Sequence, residues 1–227
     1  VDTSALLLLA DGRFPSGGHA HSGGLEAAVA AGRVTGTAQL ESFLRGRLAT
    51  AGLVAAAFAA ASHLAVAGPA GTRDTLALLD AELDARTPSL ALRLASRRQG
   101  RALLRAGRIT WPSPGYDRVP DHPDGCHQPI AVGVTAAAAR LTAEHAALVG
   151  AYGTITGPAS AGVRLLGLDP YQVQAVLARL ARACDEVATA AAADAHKPPA
   201  DLPATTAPLA DIHAETHATW EVRLFAS

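Results

Sequence analysis

No stretch of this chain alternates apolar and polar residues long enough to build a strand, whereas three-four apolar spacing recurs along most of it. That periodicity confines the chain to helices. Leu40, Phe43, Leu44, Leu48 and Ala51 mark one face of a helix that continues into an alanine-rich segment. Asp169-Pro170 supplies an N-cap and a first-turn proline ahead of Val173, Val176, Leu177, Leu180, Cys184 and Val187. Thr87-Pro88 offers the same pair for a helix running to about Gly107. "HQPIAVGVTAAAARL" and "TAEHAALVGAYGTITGPASAGVRLLGL" are apolar on most sides and are expected at the centre. Gly150, Gly153, Gly157 and Gly162 there suggest close helix approach or breaks rather than solvent exposure. Two irregular stretches interrupt the pattern, a five-proline loop over 109–129 and a proline-rich linker over 196–211. The expected fold is all-α, a single bundle-like domain of roughly eight to ten helices over residues 1–195. A Pro-rich linker and a C-terminal tail follow over 196–227.

One segment tests a globular reading. Leu48 to Gly71 carries no formal charge and is long enough to span a bilayer. It is mostly alanine, however, and is interrupted by Ser62 and His63, so a buried helix is expected rather than a membrane span. The net charge of −1 gives no field that would draw nucleic acid or an anionic membrane. Cys126 and Cys184 lie far apart, with no CxxC and no signal peptide, which points to the cytoplasm.

The stretch "ADGRFPSGGHAHSGGLEAAV" is dense in glycine and histidine, and it invites a phosphate-cradle, a nucleophile-elbow and a metal-site reading. A phosphate cradle needs GxxxxGK[ST], and no lysine follows these glycines. Ala20-His21-Ser22-Gly23-Gly24 approaches a GxSxG elbow, but that device needs a strand-to-helix turn. Ser22 is better read as the N-cap of a helix holding Leu25, Ala28 and Val29, with Glu26 in its first turns. Histidines pair at 19 and 21 and at 213 and 217, and Asp121, His122, Asp124, Cys126 and His127 form a third group. None has a four-ligand signature, and "HAETH" is not HExxH. Arg93, Arg97, Arg101 and Arg105 recur at four-residue spacing, with Arg98 and Arg108 beside them, as a solvated face or a contact with an acidic protein surface or with phosphate groups. The residues thus describe a helical interaction protein without a catalytic constellation. The weaker alternative is a metal-storage protein or metal-dependent hydrolase using the histidine clusters.

The opening stretch, taken as "LLLLADGRFPSGGHAHSGGLEAAVAAGRV", resembles the N-terminal signature of the urease accessory protein F (UreF) family. "SRRQGRALLRA", "HQPIAVGVTAAAARL", "GVRLLGLDPYQVQAVL" and "HAETHATWEVRLFAS" are similar to further family segments, in the same order. Gly12 stands where the family has serine, and His19 where it commonly has an aromatic or aliphatic residue. The resemblance implies a helical, non-catalytic scaffold for urease maturation that dimerises. Its implied partners are accessory protein UreD (UreH), the nickel-carrying GTPase UreG and apo-urease. No resident metal or cofactor is implied. Partner contacts would come from Asp11, Pro15, Ser16, Gly17, His21, Ser22, Gly24 and Glu26, from Arg164, Gly167 and Gln172, and from Arg223, Leu224 and Phe225. The tail, with Ile212, Trp220, Val222, Leu224 and Phe225, must either pack back on the body or fold on a partner. The resemblance points to the second.

Overall fold

The computed structural model describes residues 3–68 and 73–227. The described residues form ten α-helices and no strand. They are α1 (Thr3–Ala10), α2 (Leu25–Ala30), α3 (Thr37–Arg47), α4 (Leu53–Ala67), α5 (Arg73–Ala85), α6 (Leu90–Thr110), α7 (Gln128–Ala138), α8 (Ala143–Leu166), α9 (Pro170–Asp194) and α10 (Pro208–Ala218). A single π turn over Leu48–Gly52 joins α3 to α4 in one continuous rod. The all-α expectation holds.

The uncharged run forms the centre of this bundle, apart from its end at 69–71, which lies outside the described residues. Ala56, Ala57, Phe58, Ala59 and Ala60 have no exposed surface, and α4 packs against α5, α7, α8 and α9. The Thr37–Ala67 rod is long and apolar enough to cross a membrane, but 67% of its most apolar window is buried inside the fold. Alanine makes this possible. A Cβ on Gly133 of α7 would sit 2.3 Å from the Ala59 carbonyl, and one on Gly150 of α8 would sit 3.0 Å from that of Ala55. The neighbouring backbones therefore approach closely. Gly153, by contrast, is exposed with no neighbour where a Cβ would point, so close approach explains only part of that glycine series.

Two helix starts illustrate how local chemistry sets boundaries. Asp169 caps α9 as expected, its carboxylate accepting from the Tyr171 amide at 2.9 Å. The start of α6 differs. Ser89 is its cap, accepting from the Leu92 amide, while Thr87 instead donates to the Leu83 carbonyl and finishes α5.

The arginine stripe on α6 also departs from a uniform solvated face. Arg97 is 3% exposed and lies between Asp80 at 2.9 Å and Asp84 at 2.7 Å, while its Nη1 donates to the Gly125 carbonyl at 2.6 Å. Those carboxylates also fix His127. Asp80 accepts from its amide, Asp84 lies 2.9 Å from Nε2, and Ser96 Oγ lies 3.0 Å from Nδ1. The network fastens α5 and α6 to the N-terminus of α7, and Arg101 adds a bond to the Asp124 carbonyl. Only Arg98, Arg101, Arg105 and Arg108 of the stripe are exposed. Arg97→Met leaves Asp80 buried without its cation, and should lower the unfolding free energy by about 3–5 kcal/mol in urea denaturation. The exposed Arg105→Met should change it by less than about 0.5 kcal/mol.

Candidate functional site

The glycine-rich opening stretch forms a loop between α1 and α2. Gly17, Gly23 and Gly24 all take left-handed backbone angles, which glycine adopts without a steric penalty. Gly23 is constrained twice, since a Cβ there would also press on Pro158 at 2.9 Å and on the Arg47 guanidinium at 3.0 Å. Gly24, not Ser22, is the N-cap of α2. Ser22 is fully buried, and its hydroxyl accepts from the Glu26 amide at 3.2 Å, so it supports the first turn from outside the cap position.

The same hydroxyl reaches the tail, donating to the Ser227 carbonyl at 2.8 Å. The Ser22 amide donates to that carbonyl at 2.7 Å, and the Ala226 amide donates to Ala20 at 2.7 Å. Nδ1 of His21 lies 2.7 Å from Ser227 Oγ. Of the two arrangements open to the tail, the structure has the first, seated on its own body.

Glu26 closes that contact. Its carboxylate, on a residue only 8% exposed, accepts from the Leu224 amide at 2.8 Å and the Phe225 amide at 3.0 Å. His217 Nε2, which must carry its proton to face a carboxylate, completes the set at 2.9 Å. Burial pushes the Glu26 carboxyl up, but the two amides and the imidazole together outweigh it and leave it below its ordinary value. Phe225 is buried, Arg164 sits 4.9 Å over its ring, and Trp220 packs 4.8 Å from the His217 ring.

The linker is held as well. Arg86 donates to the carbonyls of Pro199, Ala200, Leu202 and Pro203 and pairs with Glu82. Leu202 is buried, and α10 begins within the expected linker at Pro208.

The structure therefore gathers His21, Ser22, Glu26, Arg164 and Phe225 of the expected contact residues around one junction. Arg223 and Leu224 are exposed on the outside of the tail. Asp11, Pro15, Ser16 and Gly17 lie earlier in the loop, where Arg13 beside Asp11 holds its carboxyl at about 2. Gly167 and Gln172 lie apart, at the α8–α9 corner, where Gly167 is the left-handed C-cap of α8 and Gln172 accepts from Thr37. His217, Arg86 and Ser227 act here and sequence reasoning missed them. For His217 the sequence signal is its four-residue helical spacing from His213, which puts both on one face without naming Glu26 as the partner.

The histidine groups do not converge. His217 faces Glu26, His127 lies in the Arg97 network, and His122 Nδ1 accepts from the Asp124 amide. Among the described residues no three His, Cys, Asp or Glu side chains are placed to hold a metal ion.

Fold and site together define a helical protein whose glycine-rich N-terminal loop is closed by its own tail. Residues 34–181 match the UreF family model. Urease accessory protein UreF of Mycobacterium sp. (strain JLS) is 47% identical over 224 residues, covering 99% of this chain and 98% of that protein. UreF of Mycolicibacterium vanbaalenii is 45% identical over 228 residues, covering 99% and 98%. That of Mycobacterium tuberculosis (strain H37Rv) is 44% identical over 216 residues, covering 94% and 93%. The chain belongs to the UreF family.

Glu26→Ala should weaken tail docking by about 3 kcal/mol, seen as faster proteolysis C-terminal to Ala218 with helical content retained. The pH dependence has a definite sign. The docked Glu26 carboxyl titrates below its ordinary 4.5, so its contribution is complete above that value and is lost as pH falls through the lowered one. Trp220 emission should therefore hold steady from pH 7 to about 5 and shift only below the ordinary carboxylate range. A shift centred near neutrality would show that another group controls docking.

Proposed function

We propose that this protein acts in urease maturation as a non-catalytic scaffold. In this reading it binds accessory protein UreD (UreH), recruits the GTPase UreG and helps deliver nickel, as cargo, to apo-urease in the cytoplasm. It works as a homodimer, and the tail belongs to the surface that UreD receives. The observation that carries the reading is similarity to urease accessory proteins over nearly the whole chain. Two features support it. The sequence has no GxxxxGK[ST] of its own, consistent with the nucleotide residing on a partner. Leu209 and Ile212 on α10, with Val222 and Leu224 in the tail, expose apolar side chains near one another in sequence, as an assembly surface would.

A urease gene cluster lacking its F gene tests the proposal. Supplying this chain should restore nickel-dependent urease activity and co-purify UreD and UreG, and failure to do either would overturn it. Arg164→Glu should reduce recruitment of UreG several-fold without changing helical content, because the exposed guanidinium reverses its sign. Unchanged recruitment would remove Arg164 from the contact.

A further inference from the structure

Arg97 and Arg47 are both set into this fold, and they are treated in opposite ways. Arg97 lies against two carboxylates, and its ionisation is raised despite burial. Arg47, the last residue of α3, has no acidic partner among the described residues. Its guanidinium packs against Gly23 and lies 6.0 Å from the Phe43 ring, and burial alone pulls its pKa down to about 10.

One of its nitrogens has an internal task. Pro158 sits inside α8 and has no amide proton, so the carbonyl four residues earlier, on Thr154, loses its helical donor. Arg47 Nε donates to that carbonyl at 3.1 Å. Nη1 and Nη2 have no hydrogen-bond acceptor among the described residues. The π turn that begins at Leu48 follows Arg47 directly, and such single-turn widenings concentrate at functional positions.

Arg47 lines an open groove of about 1350 Å³. The groove's formal charge is unbalanced, since Arg33, Arg47, Arg86 and Arg164 line it against Asp11 and Asp211. Arg86 is paired with Glu82 and Asp11 with Arg13, while Arg33, like Arg47, has no acidic partner among the described residues. A half-buried cation with free donors, in a groove of the same sign, is complementary to a carboxylate. The volume exceeds that of an ordinary small-ligand pocket and leaves room for a polypeptide segment, far more than a single small anion needs.

We propose that the groove beside Arg47 receives an acidic segment of a partner protein, with one of its carboxylates seated on the Arg47 guanidinium. The inference deepens the scaffold reading above and rests on it for the partner's identity, but not for the chemistry of the groove. Until the segment arrives, Arg47 is a cation half-withdrawn from water without a counter-charge, a state that favours binding its complement.

The test uses the full chain and a labelled, end-blocked peptide of eight glutamates, with eight glutamines as the uncharged control. Arg47→Gln removes the charge while keeping an N–H donor for Thr154, and Arg47→Lys keeps the charge. By fluorescence anisotropy the glutamate peptide should bind the wild type. Its affinity should fall by about tenfold in Arg47→Gln and less in Arg47→Lys, and the glutamine peptide should bind neither. Equal affinity for wild type and Arg47→Gln overturns the proposal. So does acetate that competes at the same carboxylate concentration as the peptide, which would make this a small-anion site. A dimer of the free chain abolished by Arg47→Gln would assign the groove to a second copy, and also overturns it. Should Arg47→Gln fail to fold, a photo-crosslinking glutamate peptide on the wild type decides. Adducts at Ser42 or Phe43 support the proposal and adducts elsewhere refute it. A wild type that binds the peptide but captures no urease protein would refute the scaffold reading alone.

Discussion

A helix enclosed by four others has no room for charge and little for bulk, and α4 is mostly alanine, with Phe58 as its large fully buried side chain. Interaxial distance is set by the side chains at the contact, and with alanine facing glycine the backbones come nearly into touch. The carbonyls of Ala55 and Ala59 lie where any side chain at Gly150 or Gly133 would stand. Enlarging either partner would push α7 or α8 outward, and with it everything those helices position. The N-terminus of α7 anchors the Arg97 network, and α8 supplies Pro158 and Arg164 to the loop and tail. Small residues at the centre thus fix the geometry of the polar junctions at the periphery.

Those junctions share a logic. Each uses one ionised side chain to bind backbone groups that the α-helical ladders leave unpaired. Arg86 collects four carbonyls of the proline-rich linker, where prolines leave carbonyls without a regular ladder. Glu26 collects two amides of a tail that is neither helix nor strand. Arg97 and Arg47 each serve a stranded carbonyl, Gly125 and Thr154 respectively. Charge-assisted bonds are the stronger class, which lets irregular segments take defined positions without helical order of their own.

The helices were legible because their signals are local. Asp169-Pro170, the three-four spacing after it and the uncharged alanine run each contain within a few residues the reason for their structure. Ser89 rather than Thr87 caps α6, because the Thr87 hydroxyl is taken by the Leu83 carbonyl in the last turn of α5 while the Ser89 hydroxyl is also held by Glu215 from α10. The junctions were not legible, because their partners are distant in the chain. Glu26 meets residues about two hundred positions away, and Arg86 meets a linker more than a hundred positions on. From sequence alone Glu26 reads as a first-turn acid favouring the dipole of α2, and Arg97 as one member of a repeating stripe. Their burial depends on topology, which periodicity does not specify. The contact residues came from resemblance, and the structure gathers part of that set at one junction while leaving Gly167 and Gln172 at another corner.

The seating of the tail constrains how any partner can use it. Its inner side is committed, since Phe225 is covered and the amides of Leu224 and Phe225 are bonded to Glu26. Its outer side is open, with Val222 at 86% and Leu224 at 60% exposure. A partner that reads the outer side can add its surface without disturbing the body, and the loop then acts as a rigid support. A partner that takes the inner side must strip three donors from Glu26 and leave a buried carboxylate unsatisfied, unless it returns equivalent donors. The first route requires only that Glu26 hold the tail in place. The second requires a donor set matched to Glu26, so the two make opposite demands on the same side chain: under the first, weakening Glu26 weakens partner binding, and under the second it assists it.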